Sequence, residues 1–561
     1  VEASLKGKAG ETRQLNLKTS DVRVSELLGF AERGSIPLRT DMPLSLEFSA
    51  EVDGKSELTA LKGAIKGGRA TIILDDPRAP PIRVDEVKGE FALSDDGSRI
   101  VIPLIEFANA ATHWRISGEV RLPHLPDEGW DFVLRSGGAT LMTDLSGRPP
   151  VAIDRFSLNG TVTAGFRATR IDAIEIMGPD LALTGNALLG AADGRDGLRL
   201  FLKAEKSSAL NLLAFWPSFL VPEVRAYLGQ AIEGGMMSEA KYALDLDPES
   251  LAAAAAGKAI PDKSVALEIA FQNGTIRVDK GLPRFINTKG RVYASGKKVS
   301  VEMDSGQIEL PEGQTLAITS GTYKVPNTDI VPAPADVVFR IEGGAADFAT
   351  AMQSDMLKSI TAPSLDPKQT SGTMQMDIKL NFIQKPDLKP QEINVSAEGV
   401  FQNLHMDHAF GREPLDNGSV RVKVVGQGLL INGEGLLGGA VSQFELRQAK
   451  DALVQDATVS MIIDDAVREK KQMRTQNLLN GPVTLNLKLT GIGSQKIRGT
   501  GDLDLQKASV SGLIPGWTRP AGKAGKATFT FTLMPDQSIK LGDLVFDDAS
   551  TSFKGSAEIS P

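Results

Sequence analysis

Apolar and polar residues alternate one for one along much of this chain. In TDMPLSLEFSAEVDG, Leu44, Leu46, Phe48, Ala50 and Val52 alternate with Ser45, Glu47, Ser49 and Glu51. TMQMDIKLNF repeats the pattern with Met374, Met376, Ile378, Leu380 and Phe382. GPVTLNLKLTG does so with Val483, Leu485, Leu487 and Leu489, and KATFTFTLMP with Phe529, Phe531 and Leu533. A period of two sends alternate side chains to opposite faces, so each stretch predicts a strand with one apolar and one wet side, as in antiparallel sheet. The Asp-Gly and Asn-Gly pairs of VDGKSE (52–57), SDDGSR (94–99) and FQNGTI (271–276) predict hairpin turns, since these residues tolerate positive φ.

The strands recur in a loose unit: a strand opened by Gly, a turn, a second strand, a polar stretch and a closing strand. It is legible at 89–122, 160–189, 290–325 and 418–446. The spacing of roughly 30–40 residues is irregular, which suggests one sheet extended by adding hairpins. Three segments break the rhythm. NLLAFWPSFLVPEVRAYLGQAIEGG (211–235) predicts a helix opened by Pro222, carrying Val224, Tyr227, Leu228 and Ala231 on one face, and ended by Gly234-Gly235. Residues 343–360 predict a second helix with Phe348, Met352 and Met356 on one face, and 464–481 a charged third. The expected division is meander at 1–205, helical insertion with its connecting strand at 206–258, meander at 259–342, and a short helix at 343–362. Meander follows at 363–462, a charged helix at 463–480 and meander again at 481–561. All of it reads as one continuous elongated sheet.

Composition narrows the partners. The 561 residues carry a net charge of −8 without a Lys/Arg cluster, which argues against nucleic acid. The absence of cysteine suits an oxidising compartment such as a periplasm. The chain opens at Val1 without a leader pattern, so any signal or anchor is expected to lie outside it. No run of about 18 apolar residues predicts a spanning helix.

Chemistry-bearing motifs are sparse. Only four histidines occur. His405 and His408 in HMDH stand three apart, which on a strand sends them to opposite faces and away from a shared metal. His113 and His124 have no evident partner. The acidic pairs Asp75-Asp76, Asp95-Asp96, Asp464-Asp465 and Asp547-Asp548 sit at turn-like positions, where carboxylates usually bond the backbone. GQGLLINGEG (426–435) lacks the strand-to-helix setting of a phosphate cradle. No catalytic residue, cofactor or metal is expected, and the chain reads as a non-enzyme. The aliphatic faces are then the remaining feature. A sheet this long must roll into a barrel, stack as sandwiches, or curl into a trough for apolar ligands. Scarce aromatics without a girdle argue against an outer-membrane barrel.

The 211–235 stretch places Trp216, Pro217, Pro222, Arg225, Tyr227, Leu228, Gly234 and Gly235 as W-P-x(4)-P-x-x-R-x-Y-L-x(5)-G-G. This resembles the helical signature of the YhdP-type, AsmA-like bacterial envelope proteins of the AsmA/TamB clan, although Tyr227 stands where that family more often has Trp. Residues 271–309, with Leu282, Pro283, Gly290 and Val292, and residues 464–491 resemble further blocks of the family. The likeness covers most of 200–500 and is looser beyond. It implies a mostly β fold: a long, strongly curved antiparallel sheet, an open or taco-like groove of repeated meanders, with a few short inserted helices. It implies a periplasmic lipid conduit anchored to the inner membrane outside this chain, carrying phospholipid or other acyl-chain lipid toward the outer membrane. Outer-membrane proteins are further candidate partners. The groove would be lined by the four alternating faces above, and the helical segment with Trp216, Pro217, Pro222, Val224, Arg225, Tyr227 and Leu228 would cover the groove's end or mouth with its Val224, Tyr227 and Leu228 face on the apolar side. The alternative is a structural or assembly scaffold, or a chaperone, for outer-membrane biogenesis, with the apolar face closed as core.

Overall fold

The computed structural model describes the chain apart from residues 1, 9–10, 24–37, 56, 75–81, 110–111, 142–147, 191–196, 217–221, 256–260, 279–281, 329, 331, 354–364, 386–387, 390–391, 412, 426–427, 450–454, 474–477, 493–496, 513–515, 535–537, 549 and 560–561. Thirty-one of its strands hydrogen-bond into one antiparallel sheet, and two small sheets have three strands each. Short helices interrupt them: α1 Ala209–Ala214, α2 Pro222–Ala231, α3 Pro248–Ala255, α4 Ala345–Met352 and α5 Asp465–Lys470. The chain forms two compact units. The first holds 1–278, 287–301 and 327–329, and the second 279–286, 302–326 and 330–561.

In both units most strands pair with their sequence neighbours, as hairpin turns require. The unit predicted at 89–122 is the paired trio Glu86–Leu93, Arg99–Asn109 and Thr112–Arg121. That at 160–189 is Arg155–Val162, Ala168–Gly178 and Leu181–Gly190. That at 418–446 is Glu413–Val425, Gly428–Leu437 and Ala440–Gln448. The sheet does not close into a barrel: among the described residues, Glu2–Lys6 and Ser552–Ile559 each have one neighbour.

The turns at 52–57 and 94–99 form as expected, with Asp53 N–H donating to Glu57 O at 2.9 Å and Ser94 N–H to Arg99 O at 2.8 Å. FQNGTI does not turn. It lies inside the strand Val265–Ile276, where Asn273 adopts φ 53° beside irregular pairing. The same device recurs at Asp21, Asn403, Asn417 and Asp543, each left-handed at or within a break in register. An Asx residue tolerates the left-handed conformation that inserts one residue into a ladder, so it serves a bulge as readily as a turn. Gly234-Gly235 is corrected for the same reason. Helix α2 ends before it, and the pair sits in the strand Ile232–Leu246 with Gly235 at φ 134° and a shifted register.

Glycine has a second role here. Gly63 faces Phe91, Gly433 faces Phe444, Gly501 faces Phe529 and Gly499 faces Phe531. In each pair the ring lies over the glycine, so an added Cβ would stand 2.2–2.6 Å from the Phe Cζ. The aromatic thus fills the volume its partner lacks. Gly501→Ala is expected to cost about 1–3 kcal/mol by overpacking. In a double-mutant cycle with Phe529→Leu the two losses should be non-additive, because the smaller partner makes room for the methyl group; strictly additive urea-denaturation energies would show that the ring does not roof the glycine.

Candidate functional site: the apolar face of the sheet

Strand register turns the alternating stretches into continuous rows. In the second unit one row runs Ile318, Ile341, Met376, Gly399, Val422, Ile431, Leu446, Ala457, Leu489, Gly499, Phe531, Leu541 and Ala557, one residue per strand. It contains no polar side chain. Ile318, Ile341 and Met376 are buried, whereas Val422, Ile431, Leu446, Leu489, Phe531 and Leu541 are half-buried. The adjoining row Met374, Phe401, Val420, Gly433, Phe444, Val459 and Leu487 is mostly buried. Helix α4 packs on this part of the face, with Phe348 edge-on to Phe401 at 5.8 Å between ring centres.

The first unit repeats the arrangement. Phe156, Ile176, Leu183 and Ala204 form a buried row. Helix α1 adds Leu212 to that core and buries its own Ala209 and Leu213. Asn211 ties α1 down by donating to Pro179 O and Asp180 O at 3.1 and 3.3 Å. Beside it runs Ile102, Gly118, Leu134, Leu158, Ile174, Gly185, Leu202, Tyr242 and Leu267, all half-buried. Its only polar atom is the Tyr242 hydroxyl, whose pKa burial pushes up. Each unit therefore has an apolar face with one strip covered by a helix and one strip left accessible.

The opposite face is charged. Arg340 grips Asp377 with two hydrogen bonds of 2.7 and 2.8 Å and holds its carboxyl below the usual range. Arg155 pairs with Glu175 at 2.7 Å. Glu106 accepts from Arg115 at 3.0 Å and meets His113 at 2.8 Å; its carboxyl is held low chiefly by Arg115.

Of the predicted lining residues, Leu44 packs against the cluster of Met42, Ala70 and Val84. Leu46 lies between Thr19 and Ile65, and Phe48 between Leu17 and Gly63. Met374, Met376 and Val483 are 4%, 5% and 2% exposed and serve as packing. Ile378, Leu380, Leu485, Leu487, Leu489, Phe529, Phe531 and Leu533 are half-buried, as is Phe382 beside Ala335. The helical segment differs from expectation. Tyr227 is 49% exposed and Leu228 half-buried, so α2 does not lay a Tyr227 face on the sheet. The side chains of Pro222 and Val224, and Pro217 entirely, lie outside the described residues. It is Arg225, 7% exposed, that turns inward and donates to Trp216 O at 2.8 Å. Arg148 donates to Gly229 O and Ile232 O at 3.1 and 2.7 Å, satisfying carbonyls at the end of α2 where a cation is favoured.

The second helix ends at Met352, and Met356 lies outside the described residues. The third is only Asp465–Lys470: Asp464 caps its start by accepting from Val467 N–H at 2.8 Å, and Gln472, left-handed at φ 53°, turns the chain just past its end. Sequence reasoning missed the arginines that staple irregular segments. Arg468 donates to Ile463 O and Gly481 O at 2.9 and 2.7 Å. Arg519 donates to Leu505 O and Ala508 O at 2.8 and 2.7 Å, and also to Lys523 O. Arg468 lies in the 464–491 block that carries the resemblance, but its bonding role is not legible there, and nothing in the local sequence marks Arg519.

In three of the acidic pairs at least one carboxylate accepts from backbone N–H groups. Asp96 accepts from Ser94 Oγ at 2.6 Å and from Ser98 N–H at 3.0 Å, which holds its carboxyl far below the usual range. Asp465 accepts from Gly481 N–H at 2.9 Å, and Asp548 from Ser550 and Thr551 N–H, both at 2.8 Å. Asp75-Asp76 lies outside the described residues. His405 is held between Asp416 at 2.7 Å and Asp407 at 3.0 Å, and these carboxylates, Asp416 foremost, raise its pKa. Among the described residues, no group of His, Asp and Glu is placed to hold a metal, and no helix is long and apolar enough to cross a membrane. No family model, curated protein or solved structure matches this chain.

Proposed function

We propose that this protein is a non-enzymatic lipid conduit, a β-groove that carries phospholipid acyl chains between the inner and outer membranes of a Gram-negative envelope, working in the periplasm and anchored to the inner membrane outside this chain. The observation that carries this reading is the accessible apolar strip in each unit. Water-exposed aliphatic surface is costly at about 25 cal/mol per Å², and a soluble chain that keeps it in continuous rows is suited to an apolar ligand. Each acyl methylene it covers contributes about 0.8 kcal/mol, so the strip holds chains without a headgroup site. The resemblance over 200–500 supplies the envelope setting. The test is a photo-crosslinking amino acid at Leu158 or Ile431 on the strips, and at Phe201 on the opposite face, followed by mass spectrometry of lipid adducts from cells. Phospholipid adducts at Leu158 and Ile431 but not Phe201 are expected. Equal labelling at all three, or none at the strips, would sink the conduit and favour a scaffold.

A further inference from the structure

One polar side-chain atom stands in the accessible row of the first unit, the Tyr242 hydroxyl. Its neighbours on the same face are apolar: Leu202 and Leu267 across the ladder, and Ala240 and Leu244 two residues away along its own strand Ile232–Leu246. Ala240 packs on the same core as Leu212 of helix α1, so Tyr242 stands one step, roughly 7 Å along the strand, outside the covered part of the face. The nearby charges point the other way. Lys241 pairs with Glu239 at 2.9 Å and Arg199 with Asp245 at 3.6 Å, all four on the charged face. Among the described residues, no group hydrogen-bonds the Tyr242 oxygen. Burial pushes the phenol pKa up, so the proton stays on the oxygen and the hydroxyl remains a donor.

Such a donor sets a condition on what can cover it. Water satisfies the hydroxyl while the strip is bare. A hydrocarbon chain laid over it displaces that water and leaves the donor unpaired, which is unfavourable. A covering ligand must therefore bring an acceptor to this point and be apolar beside it. A phosphate does not fit, because the surrounding side chains offer no cation to meet its charge. The ester carbonyl of an acyl lipid does fit, being a neutral acceptor joined directly to the alkyl chain. We infer that Tyr242 is a specificity-determining residue of the first unit's strip: its hydroxyl donates to an ester carbonyl of a phospholipid and fixes the level at which the lipid's polar end meets the apolar row. This rests on the conduit reading but goes beyond it, since aliphatic rows alone would hold a chain at any level and would not tell an ester from an ether.

The test places a diazirine-bearing amino acid in the full chain at Leu267, beside Tyr242, and separately at Leu158, four strands away on the same row. Each protein is illuminated with vesicles holding equal parts of dipalmitoyl and dihexadecyl phosphatidylglycerol. The two lipids share headgroup and chain length, and only the first has ester carbonyls. Adducts are counted by mass spectrometry. At Leu267 the ester lipid should exceed the ether lipid about fivefold, equivalent to about 1 kcal/mol for one hydrogen bond, and at Leu158 the two should label equally. Tyr242→Phe keeps the ring and removes the donor, and should bring the Leu267 ratio to parity. Equal ratios at both positions, or a Leu267 preference that survives Tyr242→Phe, overturn the assignment and leave the conduit standing, as do adducts at Leu158 with none at Leu267. No adduct of either lipid at either position removes the conduit reading and the assignment with it. Should the Leu267 variant fail to fold, the label moves to Leu202, on the other side of Tyr242, with the same ratios expected.

Discussion

Ile378→Asp and Leu485→Asp are expected to abolish lipid carriage while leaving the β-sheet intact. Ile378 lies between Phe339 and Ala397, and Leu485 between Met461 and Leu503, on the apolar face of the second unit, and both are half-buried. A carboxylate there stays solvated in the free protein. It must be desolvated or protonated when an acyl chain covers it, at a cost of several kcal/mol. Co-purifying phospholipid, measured in organic extracts, should fall by more than about tenfold, and vesicle-to-vesicle transfer of a fluorescent phospholipid should stop. Lys379→Asp and Lys488→Asp, one residue along from Ile378 and from Leu487 and on the charged face, are the matched controls and should transfer normally. Unchanged lipid in folded Ile378→Asp and Leu485→Asp proteins would remove these residues from the groove.

Arg519→Met is expected to destabilise the C-terminal part of the second unit by about 3 kcal/mol. The Arg519 side chain is enclosed by the segment 505–523, and the residue is 2% exposed. Methionine keeps most of the volume but takes a charged donor away from the carbonyls of Leu505, Ala508 and Lys523, of which Leu505 O keeps the Ala508 N–H at 2.9 Å. The loss should appear as a lower urea midpoint followed by Trp517, which packs edge-on to Phe546 in the same cluster. Arg340→Met, which breaks an equally well-formed pair on the solvated face, should barely move the midpoint. If both substitutions have the same small effect, Arg519 is not the staple its bonds suggest.

The two results probe different layers. The first asks what the apolar face does, and the second what holds together the irregular segments flanking it. An effect of Arg519→Met on lipid recovery at temperatures where the protein remains folded would link the layers. Separate effects would assign the arginine to stability alone.

By itself the sequence determined the architecture. Period-two alternation at 44–52, 374–382, 483–489 and 529–533 specifies two-faced antiparallel strands, because consecutive side chains on a pleated strand must point oppositely. Hairpin chemistry at 52–57 and 94–99 placed turns where they occur, since Asp-Gly there needs nothing beyond its own neighbours. The same local chemistry misled at Asn273 and Gly234-Gly235, because positive φ suits a turn and a bulge equally, and only the register of the adjacent strand decides between them. Tertiary structure alone decided which apolar residues are core and which are accessible. Met376 and Ile431 look alike in sequence and share a row, yet one is buried and the other half-buried. Register also decided that Gly501 meets the ring of Phe529 and Gly118 the side chain of Leu134, partners tens of residues apart in one pair and a hairpin away in the other. A strand's own sequence sets which face a side chain points to; what stands over that face is set by other parts of the chain.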